Sequence, residues 1–233
     1  MVLRAIRGAL GFLSRIPVGH DDAAWEAFRK TPATIPLAGY VIGALVSLPL
    51  LIPGPPPTVA FVFVVGIYVV TGINHIDGVI DLGDALVVHG NAAERRAVMK
   101  DTTVGAGGAS AVALVVLGLA TAGVALAALP LRAMLLVVTA EVGTKLGIVM
   151  LVCFGPASHD GLGSALTANA QPRSVLPAIL IAIPAALLTW PRVIPTMATL
   201  VAAVVASLFV FRWARMNLGG VSGDVFGATN EIA

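Results

Sequence analysis

The chain is short of charge. Of 233 residues, 11% are Asp, Glu, Lys or Arg, against 58% hydrophobic, with a mean hydropathy of +0.97. A soluble domain carries about 25% charged residues, so this composition excludes one and points to an integral membrane protein. Cysteine is nearly absent too. The single Cys153 lies in an apolar run, which excludes a disulfide framework and a thiolate metal site and leaves a small buried hydrophobe. A net charge of +2 carries no signal for nucleic acid. The basic start, with Arg4, Arg7 and Arg15, lacks the clean apolar core and small-residue cleavage site of a signal peptide. It suits an amphipathic helix on the membrane surface, with Ile6, Leu10 and Leu13 on the apolar side. No internal repeat and no second domain is visible, so residues 1–233 read as one membrane-embedded unit.

Long apolar runs dominate what is present. Six stretches approach the 17–25 residues that a bilayer requires: roughly 34–52, 58–74, 106–129, 132–154, 174–190 and 193–211. Pro53 to Pro57, Leu129-Pro130-Leu131 and Trp190-Pro191-Arg192 separate them in pairs. The expected fold is an all-α polytopic bundle of about six transmembrane helices with an interfacial N-terminal helix. With the amino terminus in the cytoplasm, eleven basic residues fall inside and two, Arg132 and Arg192, outside, with Lys145 in a span. That asymmetry sets orientation. It puts every polar motif on the cytoplasmic side of a multi-pass cell-membrane protein.

The densest of these motifs is Asn74-His75-Ile76-Asp77-Gly78-Val79-Ile80-Asp81-Leu82-Gly83-Asp84. Asp77, Asp81 and Asp84 stand at i, i+4 and i+7, on one helical face. Carboxylates so stacked repel unless a cation sits among them. Mg²⁺, a hard cation that bridges carboxylates to phosphates, is the natural candidate. Arg95, Arg96 and Lys100-Asp101 follow, then Gly105-Ala106-Gly107-Gly108. Glycines before a helix suit either a phosphate or close helix packing, and both readings stand. Lys100 suits a phosphate. Ser158-His159-Asp160-Gly161 offers His159 and Asp160 as substrate contacts or proton carriers. Near the end, Gly219, Gly220, Gly223 and Gly227 surround Asp224, with Glu231 seven residues on. Asp224 reads as a metal or substrate contact. Glu141 and Lys145, at i, i+4 inside a span, are either a self-neutralising pair that packs the bundle or a pair reaching the cavity under the acidic cluster.

In order, these segments resemble the cobalamin synthase family of adenosylcobinamide-GDP ribazoletransferases. His75, Asp77, Gly78, Asp81 and Asp84 match its His-x-Asp-Gly-Leu-x-Asp-x-x-Asp-Gly motif. Met99 to Gly108 is similar to its Met-(Lys/Arg)-Asp-Ser-Arg-x-Gly-x-x-Gly segment, and Gly220 to Glu231 to its Gly-x-(Thr/Ser)-Gly-Asp-x-x-Gly-Ala-x-x-Glu segment. Phe12-Leu13-Ser14-Arg15-Ile16-Pro17 resembles the family's start. Thr103 and Ala85 depart from it, where many members carry Arg and Gly. Members usually continue past the final Glu into a further apolar helix, whereas this chain stops at Ala233.

The resemblance implies phosphoryl transfer. A hydroxyl of α-ribazole, or its 5′-phosphate, attacks the phosphorus that stays with cobinamide, and GMP leaves. Asp77, Asp81, Asp84 and Asp224 would hold Mg²⁺. One of the outer carboxylates or His75 would accept the proton. Lys100, Asp101, Arg95, Gly105, His159, Asp160, Gly220, Gly223, Asp224 and Glu231 would meet the substrates. The implied partners are a corrinoid nucleotide, α-ribazole and the lipid bilayer, with no nucleic acid. Assembly into a homo-oligomer is left open. A CDP-alcohol phosphatidyltransferase is the nearest alternative, but Asp77-Gly78-Val79-Ile80-Asp81-Leu82 lacks that family's Ala-Arg, and the last spacing differs. A cation-coupled transporter would need polar groups along its whole path, and the outer turns lack them.

Overall fold

The computed structural model describes residues 1–19 and 21–233, and among them it is all-α, with no strand beyond one isolated bridge. The helices are α1 (Val2–Leu13), α2 (Asp22–Lys30), α3 (Ile35–Ser47), α4 (Pro56–Thr71), α5 (Asn74–Val87), α6 (Ala92–Val98), α7 (Ala106–Leu126), α8 (Pro130–Phe154), α9 (Leu162–Thr167), α10 (Val175–Ala186), α11 (Ile194–Asn217) and α12 (Gly223–Ile232). Three short 3₁₀ turns, Pro32–Thr34, Leu48–Leu51 and Pro172–Ser174, extend α3 at both ends and lead into α10.

Helix α8 is the central post, buried along most of its length. Small residues let its neighbours come close, as membrane helices require in the absence of a hydrophobic drive between them. A Cβ on Gly43 of α3 would stand 2.7 Å from the Val138 Cα, and one on Gly143 of α8 would stand 2.8 Å from the Ala203 side chain on α11. Helix α7 is the opposite case. Only Gly108 and Gly123 of it are buried, and it touches the bundle through α4 and α5. An apolar helix exposed in this way is one that faces lipid.

Four segments are long and apolar enough to cross a bilayer: Pro32–Leu51, α7, α8 and α11. A fifth is counted if α4 and α5 form one broken span. By length and composition alone, four or five of the six expected stretches qualify, within an all-α polytopic bundle. The stretch placed at 174–190 is an apolar helix of 15 residues, Pro172–Ala186, counting its 3₁₀ turn. At 1.5 Å per residue it reaches about 22 Å, short of a bilayer core of about 30 Å. It ends early because Pro184 lies in its last turn and Thr189 to Arg192 fold into a separate turn. Helix α4 has 16 residues, and α5 leaves it at 99°. Such a turn takes α5 across the end of the bundle rather than onward through it.

The expected N-terminal helix, α1, forms, with a partner that the sequence did not suggest. Its buried residues are Ala5, Ala9 and Leu13, while Ile6 and Leu10 are half-buried. It pairs with α2, where Gly8 lets the Ala24 carbonyl come within 2.3 Å of a would-be Cβ. Phe12 packs on Trp25 and Phe28, and Arg7 pairs with Asp21 at 2.9 Å. Asp21 caps α2 through the Ala23 and Ala24 N–H groups.

Candidate active site

The acidic motif forms α5, and two features set its direction. Gly72 ends α4 with φ +77°, a conformation that L side chains rarely adopt. Arg15 donates its backbone N–H to the Val70 carbonyl at 2.7 Å. The Phe12 to Pro17 segment is thereby tied to the bend, which brings the end of α1 beside the start of α5.

Helix α12 lies against the first half of α5. The crossing is closest at Gly78, where a Cβ would stand 2.3 Å from the Asp224 carbonyl oxygen. Gly227 packs on the His75 backbone. The entry to α12 is fixed by a short parallel bridge. Val221 donates to Pro156 at 2.8 Å and accepts from Ser158 at 2.9 Å. Gly220 fits beneath the Pro156 carbonyl, and Ser222 caps α12 through the Val225 N–H. Asp224 is thus held in the first turn of α12, facing α5.

A cavity of about 430 Å³ opens between these pieces, lined by Asn74, His75, Asp77, Gly223 and Asp224 with Phe12 and Leu162 as its apolar wall. Asp77 is exposed, and Asp81 and Asp224 are half-buried. Burial, and then the charges of Asp224, Asp77 and Asp84, push the Asp81 carboxyl up to about 7. No Lys or Arg pairs with any of these four carboxylates among the described residues. A carboxyl whose pKa is raised by burial and by neighbouring acids, with no cation to relieve it, is a mark of a functional site.

The donor chemistry of Asp77, Asp81 and Asp224 fits a hard divalent cation. As the side chains stand, no three ligating groups among the described residues converge on one ion. Asp84 differs from its neighbours. Its oxygens accept the Gly105 and Gly108 N–H groups, both at 2.8 Å. Gly105 and Asp84, expected at phosphate and metal, bind each other here. The glycines leave room for the carboxylate, since a Cβ on Gly105 would stand 2.4 Å from its Oδ1.

Other expected contacts also have partners of their own. The Arg95 guanidinium binds the Ala85 and Leu86 carbonyls at the end of α5, and its Nε binds the Gly90 carbonyl. A cation there complements the helix terminus. Arg96 binds the Leu218 carbonyl at 2.6 Å. Asp101 accepts from the Thr103 N–H and hydroxyl, bonds that hold its carboxyl below its usual value. Lys100 and Asp160 are exposed, and His159 Nδ1 meets the Ser158 hydroxyl at 2.9 Å. Glu231 lies away from the cavity mouth. It is buried, with Oε1 3.7 Å from His75 Nδ1.

The interior pair resolves both open readings at once. Glu141 and Lys145 do neutralise each other, and Lys145 Nζ also donates to Asn230 Oδ1 at 2.7 Å. Asn230 Nδ2 then meets His75 Nδ1 at 2.9 Å. Sequence reasoning missed Asn74 and Asn230 as site residues. An amide standing one position before the motif's closing Glu231 was the available signal.

A family model described as cobalamin-5-phosphate synthase matches residues 5–233. The chain belongs to the cobalamin-5-phosphate synthase family. It is 54% identical to an adenosylcobinamide-GDP ribazoletransferase of Halorubrum lacusprofundi, over all of this chain and 94% of the relative. A protein of the same name from Haloquadratum walsbyi is 45% identical over the same shares. One from Methanocella arvoryzae is 32% identical over all of this chain and 92% of the relative. No solved structure matches. As a cobalamin synthase, the chain is a multi-pass membrane transferase of cobalamin assembly, and the phosphatidyltransferase and transporter readings are not favoured.

Proposed function

We propose that this cobalamin synthase joins adenosylcobinamide-GDP to α-ribazole or its 5′-phosphate, releasing GMP, at a Mg²⁺-dependent site open to the cytoplasm. The observation that carries this reading is the unpaired cluster of Asp77, Asp81 and Asp224 at the 430 Å³ cavity, in a chain whose relatives bear the ribazoletransferase name. The split of basic residues between the two sets of connecting segments, eleven against two, supports the cytoplasmic orientation.

Phosphoryl transfer asks a protein for positioning and charge stabilisation more than for covalent chemistry. A divalent cation on Asp77, Asp81 and Asp224 would neutralise charge on the diphosphate and its leaving group. The chain's own residues do the rest. Asp77 lines the cavity and is its most exposed carboxylate, so its oxygen is placed to take the proton of the attacking hydroxyl. The bond from that hydroxyl oxygen to phosphorus forms as the bond to GMP breaks. Phe12 and Leu162 supply an apolar wall that keeps water from competing. Exposed Lys100, on the turn after α6, supplies a mobile cation for the nucleotide.

The test is turnover by purified protein in lipid, with Mg²⁺, adenosylcobinamide-GDP and α-ribazole, following GMP and the corrinoid product. GMP release coupled to cobalamin formation, lost on chelation, is the expected result. Product without dependence on a divalent cation would refute the metal assignment, and no product from folded protein would refute the reaction.

A further inference from the structure

A line of buried polar groups runs from the middle of α8 to the wall of the cavity. It begins at Lys145, which is fully buried and paired with Glu141. Lys145 Nζ lies 2.7 Å from Asn230 Oδ1. An ammonium only donates, so the Asn230 atom facing it is the carbonyl oxygen, and the amide nitrogen is turned to the other side. There it lies 2.9 Å from His75 Nδ1. The amide nitrogen also only donates. His75 Nδ1 must therefore accept, and a neutral imidazole whose Nδ1 accepts carries its proton on Nε2. Glu231 Oε1, the other group near that nitrogen, is 3.7 Å away, beyond hydrogen-bond reach.

The second nitrogen is the one left for the cavity. His75 lines the cavity. No protein group among the described residues bonds Nε2, and Nε2 is not among the sealed, unpartnered polar atoms. Of the other polar side chains in the cavity wall, Asp77 and Asp224 are acceptors when ionised, and Asn74 offers one amide donor and one acceptor. A phosphate oxygen entering the cavity needs a donor.

We infer that Lys145 and Asn230 are positioning residues that fix the tautomer of His75, so that its Nε2–H donates a hydrogen bond to a phosphate oxygen of the nucleotide substrate and His75 is not the general base. The inference rests on the proposed phosphoryl-transfer reaction for its ligand, but the tautomer itself does not depend on it.

Two measurements test the proposal. The first is nitrogen-15 spectroscopy of labelled protein in lipid without substrate, with His75→Gln used to assign the ring signals. The expected result is a protonated Nε2 and an unprotonated Nδ1. In Asn230→Asp the new carboxylate accepts from both sides, so the proton should move to Nδ1. A wild-type protein with its proton on Nδ1 would overturn the proposal whatever the enzyme's activity.

The second is turnover. A glutamine amide can place a donor near the Nε2 position, but it cannot serve as a base. His75→Gln should keep kcat within about tenfold of wild type, whereas His75→Ala should lose about 100-fold, as when one donor to a developing charge is removed. Equal loss in both variants would restore the general-base role and refute this one. Asn230→Asp should lower kcat more than it raises KM. If that variant does not fold, the wild-type spectrum and the glutamine–alanine pair still decide. An inactive wild type with the expected tautomer would count against the reaction and leave the positioning chain standing.

Discussion

The two halves of α5 are held by opposite means. Its end, from Asp84 on, meets α7, and there the polar groups have partners. Asp84 accepts two glycine N–H groups, and Arg95 caps the Ala85 and Leu86 carbonyls. The stretch from Asn74 to Asp81 meets α12, and there Asp77, Asp81 and Asp224 lie together without a cation. One half is built for stability. The other keeps charge in a state that stability alone would not favour, which is how active sites commonly differ from their scaffold.

The sharpest way to break this contrast is at Gly78. With the Asp224 carbonyl 2.3 Å from a would-be Cβ, Gly78→Val must push α12 away. A displacement of about 1 Å costs reactions of this kind roughly 100-fold. Turnover should fall at least that far, and GMP release in lipid is the readout. Wild-type turnover in this variant would mean that the α5–α12 crossing does not set the site.

A pair of isosteric changes comes next. Asp81→Asn should lower turnover by roughly 100-fold or more while leaving the thermal midpoint unchanged or higher, because it removes a repelled charge. Asp84→Asn should act the other way on stability. It turns an amide nitrogen toward one of two backbone donors and removes charge-assisted bonds, a loss of about 2–4 kcal/mol. Thermal unfolding of the two variants in the same lipid checks the sign. Equal shifts would erase the distinction between the halves.

How much of this was readable beforehand follows the same division. Hydropathy located α7, α8 and α11, because a lipid-facing helix writes its length directly into composition. It drew α10 longer than it is, because the end of that helix depends on where a turn closes. The i, i+4, i+7 spacing grouped Asp77, Asp81 and Asp84 on one face, but helix periodicity says nothing about the partner opposite. Asp84 was grouped with the others because its glycine partners lie more than 20 residues away. Arg95 was read as a substrate contact for a similar reason, since the carbonyls it caps are invisible in a sequence. The α1–α2 pair was missed because nine residues make a weak periodic signal, although Asp21 is a good N-cap. Asn230 and Lys145 lie 85 positions apart, and only the packing of α12 against α8 brings them together.

The smallest expected effect is also the most direct reading of unrelieved charge. Asp81 has a folded pKa raised from 3.8 to about 7, chiefly by burial and next by Asp224. Between those values the folded protein holds a proton that the unfolded chain has lost. Stability must therefore fall as pH rises from about 4 toward 7, and the loss is complete above the folded value. Proton and metal compete for the same oxygens, so Mg²⁺ should bind more tightly over the same rise in pH. Thermal midpoints in chelator should decline across this window, and added Mg²⁺ should flatten or reverse the decline. Asp81→Asn should remove most of both effects, while changes at the α7 end should leave them in place. A decline that persists in Asp81→Asn would put the strained charge elsewhere in the cluster, with Asp224 the next to substitute.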